Sequence, residues 1–265
     1  MEELIEKENA LFEILRGMGS AVIAFSGGVD SSYLLYAAHR VLGERALAVT
    51  LDLASVPRRE KEKASAFCAE RHIAHRLLSV DQYEIPGFSE NPKDRCYLCK
   101  HALFETLLDL AVHEGFSFVA DGTNADDAKG YRPGLRALSE LGIRSPLREA
   151  GLTKSEIREL SRLADLPTWN APSFACMATR FPYGMRITAD GLSRVEAAED
   201  FLYKKGFSQF RVRVHGDLAR IEILPEEFSK LSEIRGELIV HFKEIGFRYV
   251  TLDVEGFRSG SFDEQ

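Results

Sequence analysis

The segment that decides the fold reads Ala24-Phe25-Ser26-Gly27-Gly28-Val29-Asp30-Ser31-Ser32. It follows an apolar run that begins at Ala21 and predicts a buried strand, and it precedes residues with helical spacing from Tyr33 onward. Two consecutive glycines let the backbone turn sharply and approach an anion closely, and three serine hydroxyls stand beside the free N–H groups at the start of the helix. The segment therefore predicts a pyrophosphate-binding turn between a strand and a helix.

This turn differs from the common phosphate-binding loop GxxxxGK[ST], because it contains no lysine. Transfer or hydrolysis of a γ-phosphoryl group is therefore not the expected reaction. The plainer alternative is that the glycines only connect a strand to a helix whose N-cap is Asp30 or Ser31. If the turn does bind a nucleotide, each residue from Ser26 to Ser32 is a candidate contact. Asp30 is then the candidate Mg²⁺ ligand, because Mg²⁺ takes one or two carboxylates together with phosphate oxygens.

The bulk composition limits the classes of protein that the sequence can encode. The chain has 265 residues, 45% of them hydrophobic, so one or two packed domains are expected. Its formal net charge of −7 gives no overall attraction to nucleic acid or anionic membranes, and no apolar run is long enough to span a bilayer. Four cysteines without a signal peptide indicate a reducing compartment. We therefore predict a cytoplasmic protein with no nucleic-acid or membrane partner, and we expect a homo-oligomer, although no residue pattern specifies one.

Hydrophobic periodicity predicts an α/β fold with a parallel sheet. Apolar runs rich in Val, Ile and Leu alternate with helical segments up to about Leu166. The four predicted strands are Ala21 to Phe25, Ala46 to Asp52, Arg76 to Val80 and Phe116 to Ala120. Ligands of such folds collect at the carboxyl ends of the strands.

The remainder of the chain changes character. Residues 169–187 carry prolines, glycine and aromatics with little periodicity, which predicts a long ordered loop. Residues 188–265 predict a small, ferredoxin-like α+β domain with a frayed tail from Arg258 to Gln265. Its predicted elements are a helix at 189–205, strands at 210–214 and 219–223, a helix at 225–245 and a strand at 249–254. The predicted domains are therefore residues 1–168 and 188–265, joined by the loop at 169–187.

A second nucleotide contact is predicted at the carboxyl end of the fourth strand, in Gly122-Thr123-Asn124. Gly122 permits close backbone approach, and the side chains of Thr123 and Asn124 can hydrogen-bond a ribose or a phosphate. Glycine and asparagine are also common in ordinary turns. The position of the segment at a strand end is what favours a nucleotide contact.

Three of the four cysteines fall in two segments that suggest chemistry, Cys96-Tyr97-Leu98-Cys99 and the loop around Cys176. A pair at this spacing can bind a metal or be redox-active, but it can also be helix packing or half of a zinc site. Arg180 is expected to make the loop electropositive and to support attack by the Cys176 thiolate. Cys68 differs, because it lies on the apolar face of a predicted helix, so a buried inert thiol is predicted.

Arginines are the candidate contacts to an anionic substrate. Arg211 and Arg213 are two positions apart in a predicted strand, so both project from one face and together suit an anion. The alternative is an exposed sheet face with solvated charges. Arg180 is a further candidate contact to a substrate carboxylate or phosphate.

The segment from Ser26 to Ser32 resembles the SGGxDS signature of the PP-loop, or N-type ATP pyrophosphatase, superfamily. The resemblance implies that the turn holds the β- and γ-phosphates of ATP while the α-phosphate is attacked. Over nearly its whole length the chain also resembles the LarE family of ATP-dependent sulfur transferases, which help to make the nickel-pincer nucleotide cofactor. The segments that carry this resemblance are the turn, Arg95 to Lys100, Gly122 to Asn124, the Cys176 loop and the Arg-x-Arg strand at Arg211.

Membership of that family implies a small-molecule nucleotide substrate, pyridinium-3,5-biscarboxylic acid mononucleotide. Its carboxylates are adenylated by ATP and converted to thiocarboxylates, with release of AMP and pyrophosphate. In some members the cysteine that matches Cys176 gives up its own sulfur and becomes dehydroalanine, whereas in others three cysteines bind a 4Fe-4S cluster with one iron open for a sulfide. Because Cys96 and Cys99 accompany Cys176, this sequence fits the cluster type.

Two other classes of function stay open. A PP-loop amidotransferase or a tRNA-thiolating enzyme would use the same turn, although the sequence has no glutaminase signature and no obvious RNA-binding module. A regulator that binds ATP without chemistry would form no pyrophosphate, and it would leave the three cysteines unexplained.

Overall fold

A computed structural model describes residues 2–128, 133–172 and 175–258. The chain divides by packing into two compact units, the first made of Met1–Ile85 with Asp94–Phe174 and the second of Pro86–Lys93 with Ala175–Gln265. The predicted domain boundaries at residues 168 and 187 stay a prediction, since packing alone does not show which segments fold by themselves. Two residues of the predicted cysteine loop, Ser173 and Phe174, and the tail from residue 259 onward lie outside the described residues.

The first unit is a parallel sheet with helices on both faces. Its strands are β1 (Ala21–Ala24), β2 (Ala46–Asp52), β3 (His75–Ser79) and β4 (Phe118–Ala120), in the order β3-β2-β1-β4. Its helices are α1 (Glu2–Met18), α2 (Val29–Leu42), α3 (Arg58–Glu70), α4 (Arg95–Glu114), α5 (Pro133–Glu140), α6 (Pro146–Glu149) and α7 (Lys154–Leu163). All three strand pairs are parallel, so the predicted α/β fold class is confirmed.

Strand β1 is apolar throughout because both of its faces are covered. Successive side chains of a strand point to opposite faces, so Ile23 packs into a cluster with Leu34 of α2, and Val22 packs into another cluster with Leu107 of α4. This double burial explains why the run from Ala21 shows no polar alternation.

The last strand of this sheet is shorter than predicted. The prediction began it at Phe116, but the backbone N–H of Phe116 donates to the carbonyl of Ala111 at 2.8 Å and so closes the end of α4. Gly115 makes this cap possible with a φ of 76°. β4 therefore begins at Phe118, and it pairs with β1 from Ala21 opposite Phe118 to Ile23 opposite Ala120.

Because β1 and β4 are neighbouring parallel strands, their carboxyl ends meet at one edge of the sheet. The loops that leave these two ends contain the predicted phosphate-binding turn and the predicted Gly122-Thr123-Asn124 contact. The sheet topology thus brings together two segments that lie about a hundred residues apart.

The second unit contains a three-stranded sheet among its described residues. Helix α8 (Ala189–Lys204) precedes β5 (Phe210–His215) and β6 (Leu218–Ile223), and helices α9 (Phe228–Glu233) and α10 (Arg235–Glu244) precede β7 (Tyr249–Leu252). The order is β5-β6-β7, with β5 antiparallel and β7 parallel to β6. The smaller α+β part is confirmed, but the ferredoxin-like interpretation is wrong because that motif needs four strands.

The predicted single helix at 225–245 is also wrong. A short 3-10 turn at Pro225–Glu227 leads into α9, and Ile234 separates α9 from α10 with a ψ of 10°, outside helical values. In the part of the chain that the structure describes, no helix combines the length and apolarity needed to cross a membrane.

Candidate functional site

The turn after β1 presents an uncapped helix start. Gly27 has a φ of 77°, which disfavours any side chain, whereas Gly28 has a φ of −75° and is the N-cap of α2. No side chain caps this 14-residue helix, so the N–H groups of its first turn are available to an anion. The alternative in which Asp30 or Ser31 is the N-cap is therefore wrong.

The serines of the turn stabilise its shape. The hydroxyls of Ser26 and Ser31 lie 3.1 Å apart, and the Ser31 hydroxyl donates to the carbonyl oxygen of Gly28 at 3.1 Å. Ser32 is fully buried, and its hydroxyl has no hydrogen-bond partner in the described part of the chain. The proposed phosphate contacts of the serine hydroxyls stay predictions, and the backbone N–H groups are the donors that the geometry presents.

Asp30 forms an ion pair across the site. Its Oδ2 lies 2.6 Å from Nζ of Lys154, the first residue of α7. Burial raises the pKa of Asp30 above the usual aspartate value, the contact with Lys154 opposes this rise, and the negative charge of Asp127 adds to it. Oδ1 of Asp30 is buried and accepts no hydrogen bond from the described residues. A buried carboxylate oxygen without a partner fits the single-carboxylate contact expected for Mg²⁺.

The loop after β4 packs directly against this turn. A Cβ atom added to Gly122 would lie 2.9 Å from the backbone nitrogen of Ser31. Thr123 donates its hydroxyl to Asp121, and the side-chain oxygen of Asn124 accepts the backbone N–H of Asp126 at 2.9 Å. The structure thus brings the predicted residues to the phosphate-binding turn, while the side chains of Thr123 and Asn124 also stabilise their own loop.

Helix α4 carries the cysteine pair toward the same loop. Nζ of Lys100, one residue after Cys99, lies 3.4 Å from a carboxylate oxygen of Asp121, which also accepts the Ser145 hydroxyl at 2.7 Å. Cys96 and Cys99 are three positions apart in the first turns of α4, so they share one face of the helix. The pair and the β4 loop therefore belong to one neighbourhood of the first unit.

Each sulfur of the pair accepts a hydrogen bond from a buried side chain. Nη2 of Arg95 lies 3.5 Å from Sγ of Cys96, and Nε2 of Gln82 lies 3.3 Å from Sγ of Cys99. The orientation of the Gln82 amide is fixed, because its oxygen accepts the backbone N–H of Ser55 at 3.0 Å. The amide N–H₂ is thereby directed at the sulfur of Cys99.

Cys176 lies in the second unit, in a segment held by Arg180. The Arg180 guanidinium donates to the carbonyl oxygen of Ala175 at 3.2 Å and forms a two-pronged ion pair with Glu199 at 2.7 and 3.0 Å. Burial works against the charged form, but Glu199 and the nearby Cys176 sulfur together raise the pKa of Arg180 above its ordinary value. Since Arg180 is buried in this pair, its proposed contact with substrate stays a prediction, and its visible effect is to hold the Cys176 segment.

Arg211 and Arg213 share one face of β5, and the alternative of an exposed, solvated face is wrong because both are buried. Arg213 pairs with Glu222 at 2.9 and 3.0 Å and also donates to the carbonyl of Thr179. Arg211 has no carboxylate partner among the described residues, and only the carbonyl of Arg258 accepts from it. Burial, with repulsion from the neighbouring arginines, lowers the pKa of Arg211 to about 10.

The buried charges of the second unit do not balance. Three arginines face two glutamates, which leaves an excess of one positive charge centred on Arg211. The members of this cluster are Arg180, Arg211, Arg213, Glu199 and Glu222. A desolvated guanidinium without an anion is the arrangement expected of an anion-binding site.

Metal-binding geometry is not formed by the side chains that the structure describes. Within residues 2–128, 133–172 and 175–258, no group of three or more His, Cys, Asp or Glu side chains is arranged to hold a metal ion. Cys96 and Cys99 lie in the first unit and Cys176 in the second. The 4Fe-4S prediction therefore has two possible ligands in one place, with sulfurs that accept hydrogen bonds, and it stays a prediction. Cys68 is buried, so the prediction of a buried thiol is confirmed.

Several residues of these sites were not identified from the sequence. Glu199 lies at helical spacing among the buried Leu192, Val195 and Leu202, and an acid on an apolar helix face is a signal that could have found it. Lys154 follows Thr153 in a capping box, which predicts the start of a helix but not the partner of the lysine.

Comparisons with known proteins agree with this arrangement. The sequence profile of the family described as "Queuosine biosynthesis protein QueC" matches residues 20–91. The pyridinium-3,5-bisthiocarboxylic acid mononucleotide synthase of Lactiplantibacillus plantarum is 35% identical over 265 residues, covering 100% of this chain and 96% of that protein. An uncharacterized protein of Synechocystis is 44% identical over 245 residues, covering 92% of this chain and 91% of the relative. One subunit of the glutamine-hydrolyzing GMP synthase of Archaeoglobus fulgidus is 26% identical over 172 residues, which are 60% of this chain and 56% of that subunit.

Proposed function

Because the chain belongs to the LarE family of PP-loop enzymes, we propose that it is an ATP-dependent sulfur transferase acting on pyridinium-3,5-biscarboxylic acid mononucleotide. A carboxylate of this substrate attacks the α-phosphate of ATP and releases pyrophosphate. A sulfur nucleophile then replaces AMP, which leaves a thiocarboxylate. Activation is necessary because a free carboxylate is a poor electrophile.

The observation that carries the ATP chemistry is the uncapped start of α2 behind Gly27. Its free N–H groups bind the β- and γ-phosphates and stabilise the negative charge that collects on pyrophosphate as it leaves. Asp30, with its unpartnered Oδ1, is the residue that would hold Mg²⁺, which when bound neutralises part of the phosphate charge. Gly122, Thr123 and Asn124 form the neighbouring wall of the nucleotide site.

The unbalanced positive charge at Arg211 supports a role in binding the mononucleotide. A guanidinium without a carboxylate partner can bind the substrate phosphate without first breaking an ion pair. Arg213 is already paired with Glu222, so it positions the β5 face and the Cys176 segment rather than offering a free charge. Arg180 acts in the same way through Glu199.

The sulfur comes either from a sulfide on a 4Fe-4S cluster held by Cys96, Cys99 and Cys176, or from Cys176 itself. When bound, the cluster would supply a sulfide that can be replenished. The hydrogen bonds from Arg95 and Gln82 to the sulfurs of Cys96 and Cys99 support this role, because such bonds tune iron–sulfur clusters. Without a cluster, Cys176 is the sulfur donor, and each chain acts once.

The runner-up function is that of a PP-loop amidotransferase or tRNA-thiolating enzyme. The similarity to the GMP synthase subunit is partial, whereas the similarity to the mononucleotide synthase spans the chain. The buried arginine cluster of the second unit suits a small anionic nucleotide rather than an extended RNA backbone.

The test is an acceptor comparison. Protein purified without oxygen is incubated with Mg²⁺ and ATP, and with pyridinium-3,5-biscarboxylic acid mononucleotide, with a purine nucleotide plus ammonia, or with tRNA plus sulfide. AMP, pyrophosphate and the sulfur content of the product are measured by chromatography and mass spectrometry. We expect AMP and a thiocarboxylate only with the first acceptor. AMP formation with either of the others alone would move the protein to the alternative class.

A further inference from the structure

Lys154 places its ammonium beside the acidic residue of the phosphate-binding turn. Its Nζ lies 2.6 Å from Oδ2 of Asp30, although 124 positions separate the two residues. The main chain of Lys154 is held independently, because it follows the N-cap Thr153 and its backbone N–H donates to Asp126 at 2.9 Å. The backbone is therefore fixed at the loop after β4, while the side chain reaches the turn after β1.

The ammonium retains bonding capacity in this position. A lysine has three N–H donors, and Asp30 is the only acceptor for Lys154 in the described part of the chain. The side chain is 31% exposed, so the ion pair does not enclose Nζ. Two donors are therefore available to an anion that enters the turn.

The nucleotide brings negative charge to a turn that has no lysine of its own. The pyrophosphate part of ATP would lie at the start of α2, next to Asp30, and an unmatched carboxylate there would repel it. Lys154 is the cation placed to offset both charges, because its stem is long enough to turn from the carboxylate to a neighbouring phosphoryl oxygen.

We propose that Lys154 is a phosphate-binding residue of the ATP site, paired with Asp30 in the nucleotide-free protein and donating to the pyrophosphate part of ATP when the nucleotide binds. The proposal rests on the proposed function for the identity of the nucleotide. As the substrate carboxylate bonds to the α-phosphorus, the bond to the bridging oxygen breaks, and its electron pair leaves on pyrophosphate. Lys154 stabilises that charge, and none of its own covalent bonds changes.

The competing interpretation is that the ion pair only joins α2 to α7. The chain offers a matched control for that role, because Lys7 pairs with Glu156 of the same helix at 2.7 Å, with side chains that are 25% and 24% exposed. A Lys7→Met variant removes an ion pair to α7 of similar length and exposure, away from the turn. A purely structural Lys154 should behave in the same way as Lys7.

The experiment measures binding of inorganic pyrophosphate by calorimetry, with and without Mg²⁺, alongside thermal melting. We expect Lys154→Met to weaken pyrophosphate binding by about tenfold or more, the size of one hydrogen bond to a charged group. Lys154→Arg should restore most of the affinity, and Lys7→Met should leave it at the wild-type value. If Lys154→Met does not fold, Lys154→Gln provides the same comparison, because it keeps a hydrogen bond to Asp30 without the positive charge.

Wild-type affinity in the folded Lys154→Met or Lys154→Gln protein would overturn the proposal. So would an equal loss in Lys7→Met, or a wild type that does not bind pyrophosphate. The acceptor assignment fails differently, because it is judged by the product of the complete reaction. A wild type that binds pyrophosphate through Lys154 but makes no thiocarboxylate would leave Lys154 in its role and refute the substrate.

Discussion

Gly122 and Ser31 pack so closely that a Cβ atom on Gly122 would lie 2.9 Å from the Ser31 backbone nitrogen and 3.1 Å from its Cα atom. Both atoms of Ser31 are backbone, so the clash cannot be relieved by rotating a side chain. Gly122→Ala should therefore displace the first turn of α2 and reduce pyrophosphate release by about 10²-fold, the cost of misplacing a reacting group by about 1 Å. Steady-state pyrophosphate release measures this effect, and an unchanged rate would show that the two loops are not coupled.

The positive φ of Gly27 makes a second prediction. Gly27→Val should abolish AMP formation while the protein stays folded, because a side chain at a φ of 77° distorts the turn that binds phosphate. Gly142 has a similar φ of 66° and nothing within 4 Å of an added Cβ atom. Gly142→Val should therefore lose a comparable amount of stability, about 1–2 kcal/mol, and keep its activity. Unchanged pyrophosphate release from Gly27→Val would refute the assignment of this turn.

Arg211 can be separated from Arg213 by their partners. Arg211→Met should raise the KM of the mononucleotide by about 10- to 100-fold through loss of a charged hydrogen bond, with little change in the KM of ATP. Arg213→Met should instead lower stability, because it leaves Glu222 buried with only Arg220 as partner. Replacing both by alanine should raise the KM of the mononucleotide far more than that of ATP. Equal changes in the two KM values would make the pair structural.

The sulfur source can be decided from the three cysteines. The cluster mechanism expects about four irons per chain after anaerobic reconstitution, and loss of stable iron binding when Cys96, Cys99 or Cys176 is replaced by alanine. Gln82→Leu removes a hydrogen bond to Cys99 and should shift the reduction potential of the cluster without removing iron. If iron does not bind and mass spectrometry after one turnover finds dehydroalanine at position 176, the sacrificial mechanism replaces the cluster.

Cys68 should not react while the protein is folded. Burial raises the pKa of its thiol to about 12 from an ordinary value of 9.0, with Arg71 opposing the rise. Iodoacetamide at pH 8 should therefore label Cys96 before Cys68, and Cys68 should react only after denaturation. Because the folded pKa is the higher one, its contribution to stability is complete below pH 9.0 and is lost as the pH rises toward 12. A Cys68→Ala variant should show a smaller decline in unfolding free energy over that range.

The sequence by itself determined the features that depend on local periodicity and on special backbone positions. Three apolar runs and the glycine-containing turn were enough to place β1, β2 and α2, because strand burial and positive φ leave their mark on neighbouring residues. The apolar helix face around Cys68 likewise predicted its burial. The ends of elements were less accurate, as at Phe116 and Ile234, because helix caps depend on hydrogen bonds between a few particular atoms.

The tertiary structure alone decided which charges meet. Asp30 with Lys154, Arg180 with Glu199 and Arg213 with Glu222 are pairs between different elements, and a charged residue in a sequence carries no mark of its partner. The difference between Arg211 and Arg213, two arginines of one strand face, also arises there, since only one of them reaches Glu222. The physical reason is that a charge removed from water depends on the groups that packing brings within a few ångströms of it, and packing joins residues from distant parts of the chain.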